Sequence, residues 1–533
     1  MKNNEFSSNF WNDGCSSRGA CSLVPSIAAL QELLLYLIKQ VSYYILELDK
    51  LNLNNDNLIK GVIKSVSSLV LINELNEKNL YSLILKNYYA LKNAKETYCK
   101  VSAERNMRIN MLEYSVNYNE NTPVPSAISE GSMLLKINYK ENNIVIRNHI
   151  DILINVIKSV CSNISKLYNY DICDKLNIHT IFQAINYLNN HKLDLFKLKE
   201  FIKNMAKKDF ALSLQLADEL QAHFGKVSEV SLSHSSRPGK AILVSGTNFF
   251  DLYSILELAK EHNIDVYTHS ELLIAHSLEK FREFENLVGH YGDSTENCIV
   301  DFGTFPGAIL LTDNSQNNTE FLYRGKIFSN DYNIPQGVIK IENGDYSFLI
   351  ESALESKGFV KGQTRADTIL GFNEENSIKI MADVTERLVN SEIKQLYIII
   401  GSSFSESQKE YYNMLFKNLR DDEFVLSFSY GKNSNNVLVI NLGNYYPLII
   451  KFLKNVLNDR IKNDHITIIF NSCSVTMISA MILLKEFGVK NIYVSQCSPR
   501  QINPSVLETF AQQYGLKHTS NAVLDIENMR KNI

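Results

Sequence analysis

The chain has 533 residues, 45% of them hydrophobic, with 54 basic and 58 acidic side chains and a formal net charge of −4. That balance describes a globular protein with room for roughly three or four domains and implies no polyanion, so no nucleic-acid partner is expected. No run of about 18 uncharged apolar residues suggests a membrane span, and Met1 to Gly14 lacks the charged-then-apolar layout of a secretory signal; the expectation is a cytoplasmic protein with no membrane partner.

In chain order, apolar residues first recur with a helical period over Ala28 to Leu51, Leu58 to Leu75 and Asn79 to Val101. Turn formers and two prolines between Asn117 and Pro125 interrupt the pattern and predict a linker near 117–132. A second helical set covers Ile146 to Leu167, Ile178 to Asn189 and Leu195 to Phe224. The run Leu35 to Ser42 shares its apolar pattern and its lysine position with Ile154 to Cys161, as a duplicated three-helix unit would.

Past Pro238, short Val/Ile/Leu runs alternate with helical patterns at Phe250 to His262, Leu273 to Asn286, Ser405 to Arg420, Tyr446 to Asn458 and Val475 to Phe487. Parallel strands covered by helices on both faces read this way. Connections lengthen between Gly344 and Gln363, which suggests two successive α/β domains. The expected fold is α/β: an N-terminal helical domain of two three-helix bundles (1–236), then two doubly wound parallel-sheet α/β domains (237–375 and 376–533).

The strand-like runs end repeatedly at small or hydroxyl residues: Lys240 to Val244 before Ser245-Gly246-Thr247, Ala308 to Leu311 before Asp313-Asn314-Ser315, and Tyr397 to Ile400 before Gly401-Ser402-Ser403. Phe424 to Phe428, Val437 to Ile440 and Ile466 to Phe470 continue the pattern, leading to Tyr430, Tyr445 and Ser474. Open α/β sheets bind ligands beyond the carboxyl ends of their strands, so these loops should converge on one site. The eight cysteines are scattered and form no C-x-x-C, which removes the usual zinc and thioredoxin-type readings. His269-Ser270-Glu271 matches the H-x-E of zinc deaminases without the required P-C-x-x-C. Gly401 to Ser405 resembles a nucleophile elbow lacking its final glycine, and strand-end turns of this kind are usually structural.

The run Pro238 to Gly246, the segment Asp265 to Glu271 with His276, Asn286 to Gly292, Phe305 to Leu311, Gly488 to Ile492 and Ile502-Asn503-Pro504 together resemble hybrid-cluster proteins, the prismane or hydroxylamine reductase family. Gly19-Ala20-Cys21 leading into Ala28 to Leu34 resembles that family's N-terminal segment, so the likeness spans nearly the whole chain. It implies two clusters: a cubane iron-sulfur cluster on four N-terminal cysteines, and a hybrid iron-sulfur-oxygen cluster that reduces hydroxylamine or nitric oxide. One histidine, two glutamates and four cysteines hold the latter.

Carried over by position, the histidine falls on Thr247, the glutamates on Glu271 and Ser474, and the four cysteines on Ser315, Ser403, Tyr430 and Tyr445. A family lysine just after the second glutamate falls on Thr476, and of the cubane ligands Cys15 and Cys21 alone match. Iron-sulfur clusters need soft thiolate donors, which hydroxyls do not replace. The expected cofactor is therefore none, with an iron-sulfur cluster as the alternative and Cys15, Cys21 and Glu271 as residual metal candidates; no catalytic residue is assigned. The expected role is non-redox binding, regulation or scaffolding with an unknown protein or small-molecule partner. The alternative is an oxidoreductase reducing hydroxylamine or nitric oxide at an altered metal cluster. In the first case the rings of Tyr430 and Tyr445 should fill the space a cluster leaves, because unfilled interior volume is destabilising.

Overall fold

The computed structural model describes residues 24–531 apart from 54, 71–74, 113–118, 120, 142, 174, 293–297, 314–324, 335–336, 402–405, 429, 444, 458–462, 472–473 and 496–503. The chain divides into two units: Met1–Ser165, Ile172–Lys208 and Ser498–Thr509 in the first, and Lys166–Asp171, Asp209–Cys497 and Phe510–Ile533 in the second. No helix among the described residues is long and apolar enough to cross a membrane.

The helical front contains α1 (Pro25–Lys50), α2 (Asp56–Ser68), α3 (Glu77–Glu104), α4 (Val124–Glu141), α5 (Ile144–Leu167), α6 (Lys175–Tyr187) and α7 (Leu195–Phe224). Asn55 and Asn76 cap α2 and α3 by accepting the backbone N–H of Leu58 and Asn79. In α1 the side chains of Leu30, Leu33, Leu34, Leu37, Ile38 and Val41 are all buried. A helix so widely apolar belongs in the middle of a bundle, and α1 packs against α3, α4 and α6.

The stretch expected as a linker near 117–132 instead contains the start of α4. Its prolines lie at the helix start, where a missing N–H costs nothing, and the Pro123 carbonyl accepts from Ser126 and Ala127. Gly131 then brings α4 against α1: a Cβ there would lie 1.9 Å from the Ala29 carbonyl oxygen.

The second unit carries β1 (Val230–Leu232), β2 (Ala241–Ser245), β3 (Asp265–His269), β4 (Leu287–His290), β5 (Ala308–Leu311), β6 (Ile327–Ser329), β7 (Ile339–Lys340) and β8 (Thr368–Leu370). The strands continue with β9 (Gln395–Ile400), β10 (Glu423–Phe428), β11 (Val437–Val439), β12 (Ile466–Phe470), β13 (Asn491–Val494) and β14 (Leu516–His518). Past α7 the helices are α8 (Phe249–Glu261), α9 (Cys298–Thr304), α10 (Ser347–Glu355), α11 (Glu374–Val389), α12 (Glu406–Lys417), α13 (Tyr446–Val456), α14 (Val475–Glu486), α15 (Pro504–Tyr514), whose first six residues group with the first unit, and α16 (Ala522–Lys531).

Two parallel six-stranded sheets result, ordered β4-β3-β2-β5-β6-β7 and β11-β10-β9-β12-β13-β14, beside a small antiparallel β1/β8 ribbon. Each sheet has the doubly wound order 3-2-1-4-5-6, whose direction reverses between its first and fourth strands. Strands β2, β3, β5, β9, β10 and β12 are buried along their whole length, as strands covered on both faces must be.

Register aligns the strand ends at both reversals. Ser245 stands opposite His269 and Leu311, and Ile400 opposite Phe428 and Phe470. Gly401 follows at φ +147°, where a Cβ would come within 2.5 Å of Asn471 Cβ, so this turn requires glycine.

Two expectations in this unit change. Leu273 to Asn286 is no α-helix but two 3₁₀ stretches, Ser270–Ser277 and Glu279–Glu283. Leu272, Ala275, Leu278 and Phe281 are fully buried at a spacing of three that suits 3₁₀ geometry, and Ile274 and Ser277 are buried between them. The interval between Gly344 and Gln363 also holds a helix, α10.

Candidate functional site

In the first sheet Thr247, Glu271 and Asp313 each lie two residues beyond a strand end, after β2, β3 and β5. Thr312 ties two of these loops together: its N–H and hydroxyl both donate to the Ser245 carbonyl, and its oxygen accepts the N–H groups of Thr247 and Asn248. The Thr247 hydroxyl donates to the Asp313 carbonyl at 3.2 Å. Asn248 caps α8 by accepting from Phe250 and Asp251.

The chain turns out of β3 at Ser270, φ +62°, which sets Glu271 at the start of the first 3₁₀ stretch. His269 anchors that turn, its Nδ1 2.8 Å from Ser245 Oγ. Thr268 Oγ1 is 2.9 Å from both His276 Nε2 and His290 Nδ1. Burial drives His276 down to about 3 and His290 well below 6.5, so both serve as neutral hydrogen-bonding rings.

Glu271 is engaged. Its Oε2 lies 2.8 Å from Lys166 Nζ in the last turn of α5, with the lysine side chain 14% exposed and the glutamate 27%. One turn on, Asn169 Nδ2 donates to Asp313 Oδ2 at 2.6 Å. Tyr170 packs edge-on against Phe250 and His223, centroids 5.0 and 5.1 Å away.

From the second sheet, Tyr445 is 2% exposed and its ring meets Phe249 at 5.5 Å. Burial holds its phenol well above 10, with Tyr170 and Glu271 adding to the rise. Burial also pushes Tyr446 up to about 12; a hydrogen bond with Ser474 opposes the rise and Glu271 adds to it. Ser474 spends its oxygen as the cap of α14, accepting from Met477 N–H. Lys166, Asn169, Tyr170, Thr247, Asn248 and Tyr445 line a small cavity of ≈ 10 Å³, with room for about one water.

Thr247, Glu271, Tyr445 and Ser474 thus belong to one constellation. Tyr430 packs elsewhere, its half-buried ring against Phe416 and Tyr412 on the core of the second sheet. Ser315, Ser403, Cys15 and Cys21 lie outside the described residues. Among the described residues, no group of three His, Cys, Asp or Glu side chains is placed to hold a metal ion. Sequence reasoning missed Lys166, Asn169, Tyr170 and Tyr446. Lys166 and Asn169 carry no local signal in the sequence that points to their carboxylate partners.

A wider groove of ≈ 350 Å³ follows β11 and the start of α11, lined among others by Phe372, Asn376, Ile380, Phe424, Asn433 and Val437.

Residues 8–438 match the Prismane/CO dehydrogenase family. The chain belongs to that family. It is 24% identical over 538 residues to a hydroxylamine reductase of Thermodesulfovibrio yellowstonii, covering 97% of both chains. A hydroxylamine reductase of Zymomonas mobilis is 23% identical over 532 residues, covering 96% of this chain and 95% of its own. A solved structure of alpha subunits of acetyl-CoA synthase/carbon monoxide dehydrogenase aligns with a TM-score of 0.45 at 11% identity, covering 97% of this chain and 83% of that one.

Proposed function

We propose that this member of the family performs no cluster-based reduction of hydroxylamine and acts instead as a binding, regulatory or scaffold protein. The observation that carries the reading is Tyr445: it stands where the family resemblance places a cluster cysteine, its ring is buried, and the space beside it is ≈ 10 Å³. A single metal-thiolate bond is about 2.3 Å long, so a multi-metal cluster needs far more room than one water.

The side chains present do not suit the hybrid cluster. Thr247 donates to a carbonyl, Ser474 caps a helix, Glu271 is paired with Lys166, and the buried Tyr445 and Tyr446 phenols resist ionisation. Soft iron-sulfur sites want thiolates at such positions. The groove along β11 has the size of a small-molecule site and a lining whose formal charge comes from Glu229 alone, which favours a binding role.

The test is anaerobic purification followed by measurement of iron and acid-labile sulfide, with a hydroxylamine-reduction assay using a low-potential dye. Metal-poor, inactive protein is the expected result. Stoichiometric iron and sulfide with turnover would overturn the proposal in favour of an oxidoreductase with an altered cluster.

A further inference from the structure

The ≈ 350 Å³ groove lies wholly within the second unit, between α11 and the edge of its sheet. Asn373, Asn376, Ser377 and Ile380 line it at the spacing of one helix face. Of the remaining lining, Phe372, Phe424, Val437 and Leu438 are buried, whereas Asn433 and Asn435 are exposed.

Strand β11 ends its sheet, the place where an extended peptide could add as a further strand. The chain closes that edge itself. Val437 exchanges both backbone hydrogen bonds with Ser434, at 2.9 and 3.3 Å, and Val439 N–H donates to Asn433 Oδ1 at 2.7 Å. Just past the strand, the Asn441 carbonyl accepts from Gly371 N–H. With no ladder on offer, recognition falls to the side chains.

Those side chains select by charge and by shape. The lining holds no Lys or Arg, and Glu229 is its one formal charge. The positive end of the α11 dipole is already met by Glu374 and Glu375 in the first turn. A phosphate or carboxylate would enter against three carboxylates with no cation to meet it. Among the described residues the carboxamides of Asn376 and Asn435 have no hydrogen-bond partner. A carboxamide presents a donor beside an acceptor, the complement of the N6/N7 edge of adenine. A base also has an apolar π-face, which suits the buried Phe and Val side chains.

We infer that this groove binds an uncharged purine-type heterocycle, a nucleoside rather than a nucleotide. The inference deepens the proposed binding role and rests on it. Asn376 and Asn435 supply the polar recognition, and Glu229 with the α11 carboxylates rejects phosphorylated forms.

The experiment is equilibrium dialysis of the full-length protein against adenosine and, separately, adenosine 5′-monophosphate. The expected result is one saturable adenosine site per chain with Kd below about 1 mM, and roughly tenfold or more weaker binding of the monophosphate. Adenine should compete and D-ribose should not. Asn376→Trp, which sets an indole at the groove, and Asn376→Ala/Asn435→Ala should each weaken adenosine binding roughly tenfold or more. Both alter exposed positions, and circular dichroism checks their folding. No saturable adenosine binding, equal affinity for the monophosphate, competition by D-ribose in place of adenine, or unchanged affinity in either folded variant would overturn the inference. Failure of the proposed non-redox role looks different, because the purified chain would then carry iron and sulfide and turn over hydroxylamine whatever the groove binds.

Discussion

The ring of Tyr445 stands edge-on to Phe249, centroids 5.5 Å apart with the planes at 88°, joining the turn before α13 to the start of α8. The contact places an aromatic side chain from the second sheet against a helix of the first. Tyr445→Ala should therefore cost about 3–5 kcal/mol, the usual price of emptying a buried aromatic position. Tyr430→Ala, at a half-buried ring on the core of one sheet, should fall within the ~0.5–3 kcal/mol of ordinary substitutions. Urea unfolding of both variants checks the ranking, and a larger loss at Tyr430 would contradict the assignment of Tyr445 as the filler of the pocket.

Gly131→Ala tests the close approach of α4 to α1. Alanine improves intrinsic helix propensity over glycine by about 1 kcal/mol. Here its Cβ would sit 1.9 Å from the Ala29 carbonyl oxygen, and backbone cannot swing aside as a flexible side chain would. Overpacking of this kind costs typically about 1–3 kcal/mol, so the clash outweighs the propensity gain and the variant should be less stable in denaturant. A stabilised Gly131→Ala protein would mean that the two helices separate more easily than their packing implies.

The features most legible in sequence were those encoded by period and by turn chemistry. Ala308–Leu311 and Ile466–Phe470 are bounded as expected because fully buried strands are continuous apolar runs closed by polar residues. The α4 start was hidden by Pro123 and Pro125, which signal a break but are equally at home at a helix start. Leu272, Ala275, Leu278 and Phe281 repeat every three residues, close enough to 3.6 to pass for an α-helix over a short run. At the candidate site the family resemblance singled out Glu271 and Tyr445 in sequence, whereas Lys166 at the end of α5 and Asn169 in the 3₁₀ turn after it lie more than 100 residues earlier and show no local pattern linking them to their carboxylate partners.

The helical front should show a pH-dependent stability centred on α5. Burial raises the Asp151 carboxyl from 3.8 to about 7, with Glu32 adding to the rise and Lys158 and Arg147 opposing it. Between these values the unfolded chain gives up this proton while the folded chain keeps it, so folding stability falls as pH rises from about 4 to about 7 and is level above. Burial lowers Lys158 from 10.5 to about 8, against the pull of Asp151. Its contribution has the opposite slope, with stability rising as pH increases from about 8 toward 10.5. Asp151→Asn should remove the first slope: its melting temperature should gain on the wild type between pH 5 and 7 and hold that lead at pH 7.5. A difference independent of pH would show that the carboxyl titrates alike in both states.

At the other end of the chain, α16 is fastened to the second sheet by Arg530. Its Nε and Nη2 donate to the two oxygens of Glu423 at 2.6 and 2.7 Å, and Tyr397 donates to the same carboxylate at 3.2 Å. Glu423 is the first residue of β10 and its side chain is 3% exposed, so water cannot replace a missing partner. Removing Arg530 alone strands a buried carboxylate, and Arg530→Ala should cost about 3–5 kcal/mol in urea unfolding. Arg530→Lys should recover little of it, because an ammonium cannot reproduce the planar two-bond fork. The double variant Arg530→Met/Glu423→Leu should be much less damaged than Arg530→Ala, since apolar packing can replace a buried ion pair at small net cost. A loss below about 1 kcal/mol in Arg530→Ala would place this pair with exposed surface ion pairs and remove the C-terminal helix from the forces that hold the second sheet together.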